Sequence, residues 1–155
     1  MNYLTLFIFI AISELSGILG SLFTASSIPS WYNGLTKPSF NPPSWVFGPV
    51  WTILYLLIGI SGYLLWQARH TSAAAKWAIV FFFVQLALNA LWTPLFFGAK
   101  LLGVALVEII FMWLAIVATI FFAWQTNKWA AILLIPYLAW VSFASLLNYS
   151  LWKLN

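Results

Sequence analysis

The sequence predicts an all-α integral membrane bundle of five transmembrane helices in one domain, residues 1–155, and three observations predict it. The chain is 65% hydrophobic and 5% charged, with mean hydropathy +1.02, so it has too little polar surface to clothe a soluble globule of its size. Its apolar residues gather into five runs: Tyr3 to Thr24, Trp45 to Gln67, Lys76 to Phe97, Leu101 to Trp124 and Trp129 to Trp152. Each run holds about 22 to 24 residues, against the roughly 20 that cross a 30 Å hydrocarbon layer as a helix.

The first span carries Ser13, Gly17, Ser21 and Ala25 four residues apart, a ridge of small side chains that lets a neighbouring helix approach, inside the bundle or across a dimer seam. No basic residue precedes its apolar run and no clear cleavage site follows it, so it is expected to remain as a span rather than leave as a signal peptide. A long connection, about residues 25–44, comes next. The stretch Trp31 to Trp51, WYNGLTKPSFNPPSWVFGPVW, contains three tryptophans and four of the chain's seven prolines. Proline fixes φ and removes a backbone donor, so this segment should run stiff and non-helical until a helix starts near Ser44. Indoles favour the edge of a bilayer, where the ring is apolar and the N–H stays wet. The segment reads as a rigid aromatic lid over the bundle.

Within the spans, Pro49, Pro94 and Pro136 each deprive a carbonyl four residues back, those of Trp45, Ala90 and Ile132, of its helical partner. Pro49 and Pro94 fall near helix ends, where they could shape a cavity mouth; Pro136 is expected to bend the last span nearer its middle. The third span bears Gln85, Asn89 and Thr93 at i, i+4 and i+8, a polar stripe that should face inward with Trp92 beside it. Such a stripe serves either as interhelical glue, about 0.6 to 2 kcal/mol per contact, or as an anchor for a ligand. In the last span Trp140, Phe143, Ala144 and Leu147 share one face, with a small residue notched between large ones. The joins at Ala68 to Ala75, Gly98 to Lys100 and Gln125 to Lys128 are short, so sequential helices should be antiparallel neighbours.

The two acids, Glu14 and Glu108, both fall inside spans, with no Lys or Arg at a comparable depth. A lone ionised carboxylate there would cost several kcal/mol, so each is expected as a neutral, hydrogen-bonded acid, or as part of proton-coupled transport. The basic residues divide evenly, Arg69, Lys76 and Lys128 on one side and Lys37, Lys100 and Lys153 on the other, and so leave the orientation undecided. They form no run, which argues against a nucleic-acid partner. Without cysteine, and with His70 alone, the chain has no thiolate or imidazole set for a metal.

Three motifs, WYNGLTKPSFNPPSWVFGPVWTILY, NALWTPLFFG and PYLAWVSFASLLNYSLWKLN, resemble in order and spacing the translocator protein family, also called tryptophan-rich sensory proteins or peripheral-type benzodiazepine receptors. The resemblance implies a five-helix bundle, a homodimer, and a pocket under the first loop for porphyrins such as protoporphyrin IX and haem, for sterols and for benzodiazepine-type ligands. Carried over by motif, pocket positions are Tyr32 and Pro42 in the lid, Trp51 and Tyr55 in the second span, Asn89 and Trp92 in the third, and Trp140, Phe143, Ala144 and Leu147 in the last. Phe40 and Asn33 depart from the Trp and the acid that the family often carries, so the lid's polar contacts are expected to differ. Leu147, Tyr149 and Lys153 fit the loose pattern proposed for cholesterol, which also describes an interfacial Tyr and Lys anchoring a helix end.

The reading adopted is a receptor or carrier that binds a tetrapyrrole non-covalently, with no covalent cofactor, in the bilayer of a bacterial cell envelope rather than a mitochondrial outer membrane. One alternative is light-dependent porphyrin breakdown, with Trp31 and Trp140 as the redox-active indoles and most of the chemistry in the excited ligand. The other is a regulatory scaffold that reports occupancy to a partner.

Overall fold

A computed structural model describes residues 2–155. The described residues form helices and connecting turns with no strand: α1 (Tyr3–Ser30), α2 (Phe47–Ala68), α3 (Ala73–Thr93), α4 (Leu102–Trp124), α5 (Lys128–Leu133) and α6 (Ile135–Leu154). Five stretches are long and apolar enough to cross a membrane, α5 and α6 together making the fifth. Side-chain caps start three of the helices. Asn2 Oδ1 accepts from the Thr5 N–H, Ser72 Oγ from the Ala75 N–H, and Asn127 Oδ1 from the N–H groups of Trp129 and Ala130.

Packing closes the spans into a ring. α1 lies between α2 and α3, α3 is paired with α4, α4 packs on α5 and α6, and α5 returns to α2. The short join between α2 and α3 makes them antiparallel, and α1 runs parallel to α3. Their shared register is legible rung by rung. Phe9 meets Phe82 with ring centroids 5.8 Å apart, Ser16 Oγ donates to Asn89 Oδ1 at 3.3 Å, Gly20 lies against the Thr93 side chain, and Ser27 Oγ donates to the Phe97 carbonyl at 2.8 Å.

The buried face of α1 is therefore Phe9, Ser13, Ser16, Gly20 and Ser27. This corrects the expected ridge: Ser13 is buried and Gly17 touches Tyr55, but Ser21 and Ala25 are exposed. A strict spacing of four drifts around a 3.6-residue helix, so only the first half of the row packs inside this bundle. α1 and α2 come close at Gly59, where an added Cβ would sit 2.6 Å from the Ile10 Cα.

The prolines act differently from one another. α1 continues through Pro29, so the lid begins at Trp31 rather than near residue 25; the carbonyl that Pro29 frees, that of Ala25, lies near the helix end on an exposed residue. Pro49 stands in the first turn of α2, where its missing N–H is one that a helix leaves unpaired anyway, so it breaks nothing. At Pro94 the third span passes into a π-helical turn, Pro94–Gly98. Ala99 N–H then bonds the Pro94 carbonyl at 2.8 Å, and Lys100 at φ 58° reverses the chain into α4. Pro136 ends the short α5 and opens α6, so the interruption falls at Leu134, nearer the start of the span than its middle. Its position has a consequence for the whole ring. α5 is drawn onto α2, with Ser61 Oγ donating to the Ala130 carbonyl at 2.8 Å, whereas beyond the break the backbones of α6 and α2 stand apart and are bridged by aromatic side chains.

Candidate ligand-binding cavity

The gap between α2 and α6 is a cavity of about 280 Å³, walled by α1, the first turns of α2, the end of α3 with its π turn, and α6, and reached by the lid through Tyr32. Its closed volume lies just under the ~300–1,000 Å³ of ordinary small-molecule sites. The mouth is on the flank of the bundle, where Ile18 and Ser21 of α1 and Gly48 and Thr52 of α2 are all exposed.

Aromatic rings make the walls. Trp51 stacks on Tyr55 with centroids 5.3 Å apart and meets Trp140 edge-on at 6.5 Å. Phe47 approaches Trp140 at 6.1 Å, and across the cavity Trp92 stacks on Phe96 at 4.8 Å. Trp92 is also held from behind: its Nε1–H donates to Asn148 Oδ1 at 3.2 Å, while Asn148 Nδ2 donates to the Leu102 carbonyl at 2.8 Å. The indole N–H of Trp140 is buried without a partner among the described residues.

Of the residues assigned by resemblance, Tyr32, Trp51, Tyr55, Trp92, Trp140, Ala144 and Leu147 line this cavity. Asn89, Pro42 and Phe143 do not. Asn89 stands behind Tyr55, 4% exposed, and its amide is spent on protein. Its Oδ1 accepts from Tyr55 Oη at 2.7 Å and from Ser16 Oγ, and its Nδ2 donates to Tyr137 Oη at 3.0 Å. One side chain thus joins α1, α2, α3 and α6. Of the polar stripe, Thr93 alone lines the cavity; Asn89 is glue and Gln85 is buried below it with both amide atoms unpaired among the described residues. Phe143 turns towards the lid and meets Phe40 at 6.3 Å, and Pro42 accepts at its carbonyl from Asn41 Nδ2 at 3.0 Å.

The other assignments separate in space. Trp31 packs edge-on against Phe96 and Phe97 and is not in the cavity wall, so it and Trp140 do not face one ligand site. Leu147 faces the cavity, while Tyr149 and Lys153 are exposed on the other side of α6, because residues two apart on a helix point nearly opposite ways. Glu108 is buried on α4 with both carboxyl oxygens unpartnered among the described residues, whereas Glu14 lies in the cavity wall. No group of three or more metal-ligating side chains occurs among the described residues.

The lid is fixed by its own polar groups. Tyr32 is buried, its hydroxyl donates to Asn41 Oδ1 at 2.7 Å, and burial pushes its phenol up to about 12. Lys37 Nζ lies 5.1 Å from the Tyr32 ring centre and donates to the carbonyls of Asn33 and Leu35. Several wall residues were not singled out as pocket positions. Phe47, Phe96 and Asn148 belong to the quoted motifs, and Gly17 and Ser21 to the small-residue ridge; spacing alone marks them as special without saying whether a helix or a void lies opposite.

Residues 9–153 match the model of the TspO/MBR family. The chain is 44% identical over 155 residues to the tryptophan-rich protein TspO of Archaeoglobus fulgidus, covering 100% of this chain and 99% of that one. It is 42% identical to the translocator protein of Homo sapiens, over 92% of this chain and 85% of the human one. Against the tryptophan-rich sensory protein of Cereibacter sphaeroides the identity is 41%, over 81% and 77% of the two chains.

Proposed function

The chain belongs to the TspO/MBR family of integral membrane proteins, and from that premise we propose that it is a receptor or carrier for flat, apolar ligands, with tetrapyrroles such as protoporphyrin IX and haem foremost and sterols second. One observation carries the reading: an aromatic-walled cavity, with Trp51, Tyr55, Trp92 and Trp140 around it, opens on the flank of a membrane bundle. A flat macrocycle there gains from ring stacking and from removal of apolar area from water, at roughly 25 cal/mol per Å². The partly open flank lets a ligand larger than the closed volume lie across the mouth. Names such as translocator and sensory protein among the relatives support a transport or sensing role in general terms. Residence in a bacterial cell envelope belongs to the same proposal, supported by relatives such as that from Cereibacter sphaeroides.

The test is a titration of the detergent-purified protein with protoporphyrin IX in the dark, followed by tryptophan quenching, and repeated for Ala144→Phe, which fills the notch in the wall. Saturable quenching that weakens about tenfold in the variant supports the reading. Quenching that is identical in both proteins, or never saturates, overturns it. Subsequent illumination separates the roles: an intact Soret band goes with a carrier or sensor, and catalytic bleaching goes with the photochemical alternative.

A further inference from the structure

Among the described residues Glu14 is the one acid in the cavity wall, the other polar lining residues, Ser21, Thr24, Thr52, Thr93 and Asn148, are neutral, and no Lys, Arg or His lines it. The residue lies eleven positions into α1, about 17 Å along the axis from the helix start, so the basic residues at the span ends lie well away from it. Beside it, Gly17 lies against the Tyr55 ring, which leaves an aromatic surface next to the acid. Glu14 and Tyr32 mark opposite ends of the lining along α1 and its continuation into the lid, one deep in the span and one under the lid.

Resting on the cavity reading above, we propose that this site takes a lipophilic amine, with its nitrogen on the Glu14 carboxyl and its apolar body against Tyr55, Trp51 and Trp92. The chemistry is electroneutral. A neutral amine crosses lipid, meets the carboxylic acid, and accepts its proton or its hydrogen bond; a proton leaving the carboxyl oxygen for nitrogen yields an ammonium and a carboxylate side by side. The complex carries no net charge into the bilayer, and each ion is the partner that the other needs. The ammonium also gains from neighbouring ring faces. A ligand with carboxylates, by contrast, must keep them away from Glu14. A dicarboxylate tetrapyrrole therefore binds with its acidic edge towards the lid, where Lys37 lies.

A matched pair of probes tests the assignment: 1-pyrenemethylamine and 1-pyrenemethanol share a flat apolar body and differ in the polar group. Binding is read by energy transfer from tryptophan, with the full chain in phosphatidylcholine nanodiscs and empty discs as the partitioning control. The wild type should prefer the amine by about tenfold, and Glu14→Gln should abolish that preference by bringing the amine down to the level of the alcohol. Glu14→Asp should keep the preference, which guards against a variant that merely misfolds. Equal affinities in the wild type, or a preference that survives Glu14→Gln, overturn the proposal. If protoporphyrin IX binds and the amine preference is absent, this inference alone falls. If the preference follows Glu14 while protoporphyrin IX fails to bind, the tetrapyrrole reading falls and the amine site stands. Absence of saturable binding by any probe overturns both.

Discussion

Asn155 holds Thr36 by both ends of its amide. The Thr36 N–H donates to Asn155 Oδ1 at 2.9 Å, and Asn155 Nδ2 donates to the Thr36 carbonyl at 3.1 Å, so one side chain pairs with the lid backbone as a neighbouring strand would. Net values of about 0.5–1.5 kcal/mol per bond make this clamp a factor of about 5 to 150 in lid opening. In Asn155→Leu, amide hydrogen exchange across residues 31–44 should accelerate by about that factor, while exchange in α2 and α4 stays unchanged. Acceleration spread evenly over the whole chain would argue against a local clamp.

Asn89 and Gln85 are one turn apart on α3 and should respond in opposite ways. Asn89→Leu removes three hydrogen bonds and leaves the hydroxyls of Tyr55, Ser16 and Tyr137 without that partner. At about 0.6 kcal/mol per bond in a membrane protein, plus the stranded groups, the loss should reach about 2–4 kcal/mol. Gln85 has no such partners, and Ser13, which the α1–α3 register sets at its level, is equally unpaired. Gln85→Leu should therefore be neutral or stabilising in a thermal unfolding assay in detergent.

Gly59→Ala should separate α1 from α2. The new methyl would meet backbone at Ile10, which cannot swing aside as a side chain could. Overpacking of this kind costs about 1–3 kcal/mol, and the same assay would show it as a lowered unfolding temperature.

Tyr32 gives lid closure an alkaline limit. With the lid open the phenol ionises near its ordinary 10; closed, it holds its proton to about 12. Below pH 10 both states are protonated and closure keeps its full stability; between those values only the open state loses the proton, so closure weakens as pH rises. Tyrosinate absorbance compared between wild type and Tyr32→Phe should show one phenol titrating late. Lid hydrogen exchange should lose its alkaline acceleration in the variant beyond the intrinsic rate.

Much of the fold was legible because lipid imposes simple rules. Run length alone marked the spans, and proline chemistry marked the interruption after Thr93, whereas the break it set nearer the middle of the last span falls at Leu134, close to the start. The same chemistry overstated Pro49, whose missing N–H falls in the first turn of α2 and so removes little that is bonded. Periodicity turned the Asn89 stripe inward correctly but could not tell a protein partner from a ligand; that depends on Ser16, Tyr55 and Tyr137 arriving from other helices. The face of Trp140, Ala144 and Leu147 was visible as a face, and it became a wall only because α6 leans away from α2.

That lean changes what sort of void the protein contains. A hole left by small side chains can be closed by one bulky substitution and vanishes when a sequence drifts. Here backbone direction at Leu134 contributes to the space along with small lining residues such as Gly17, Gly20 and Ala144, so its width is partly the property of a joint. A change at that joint would alter the room's width without touching any residue of its wall.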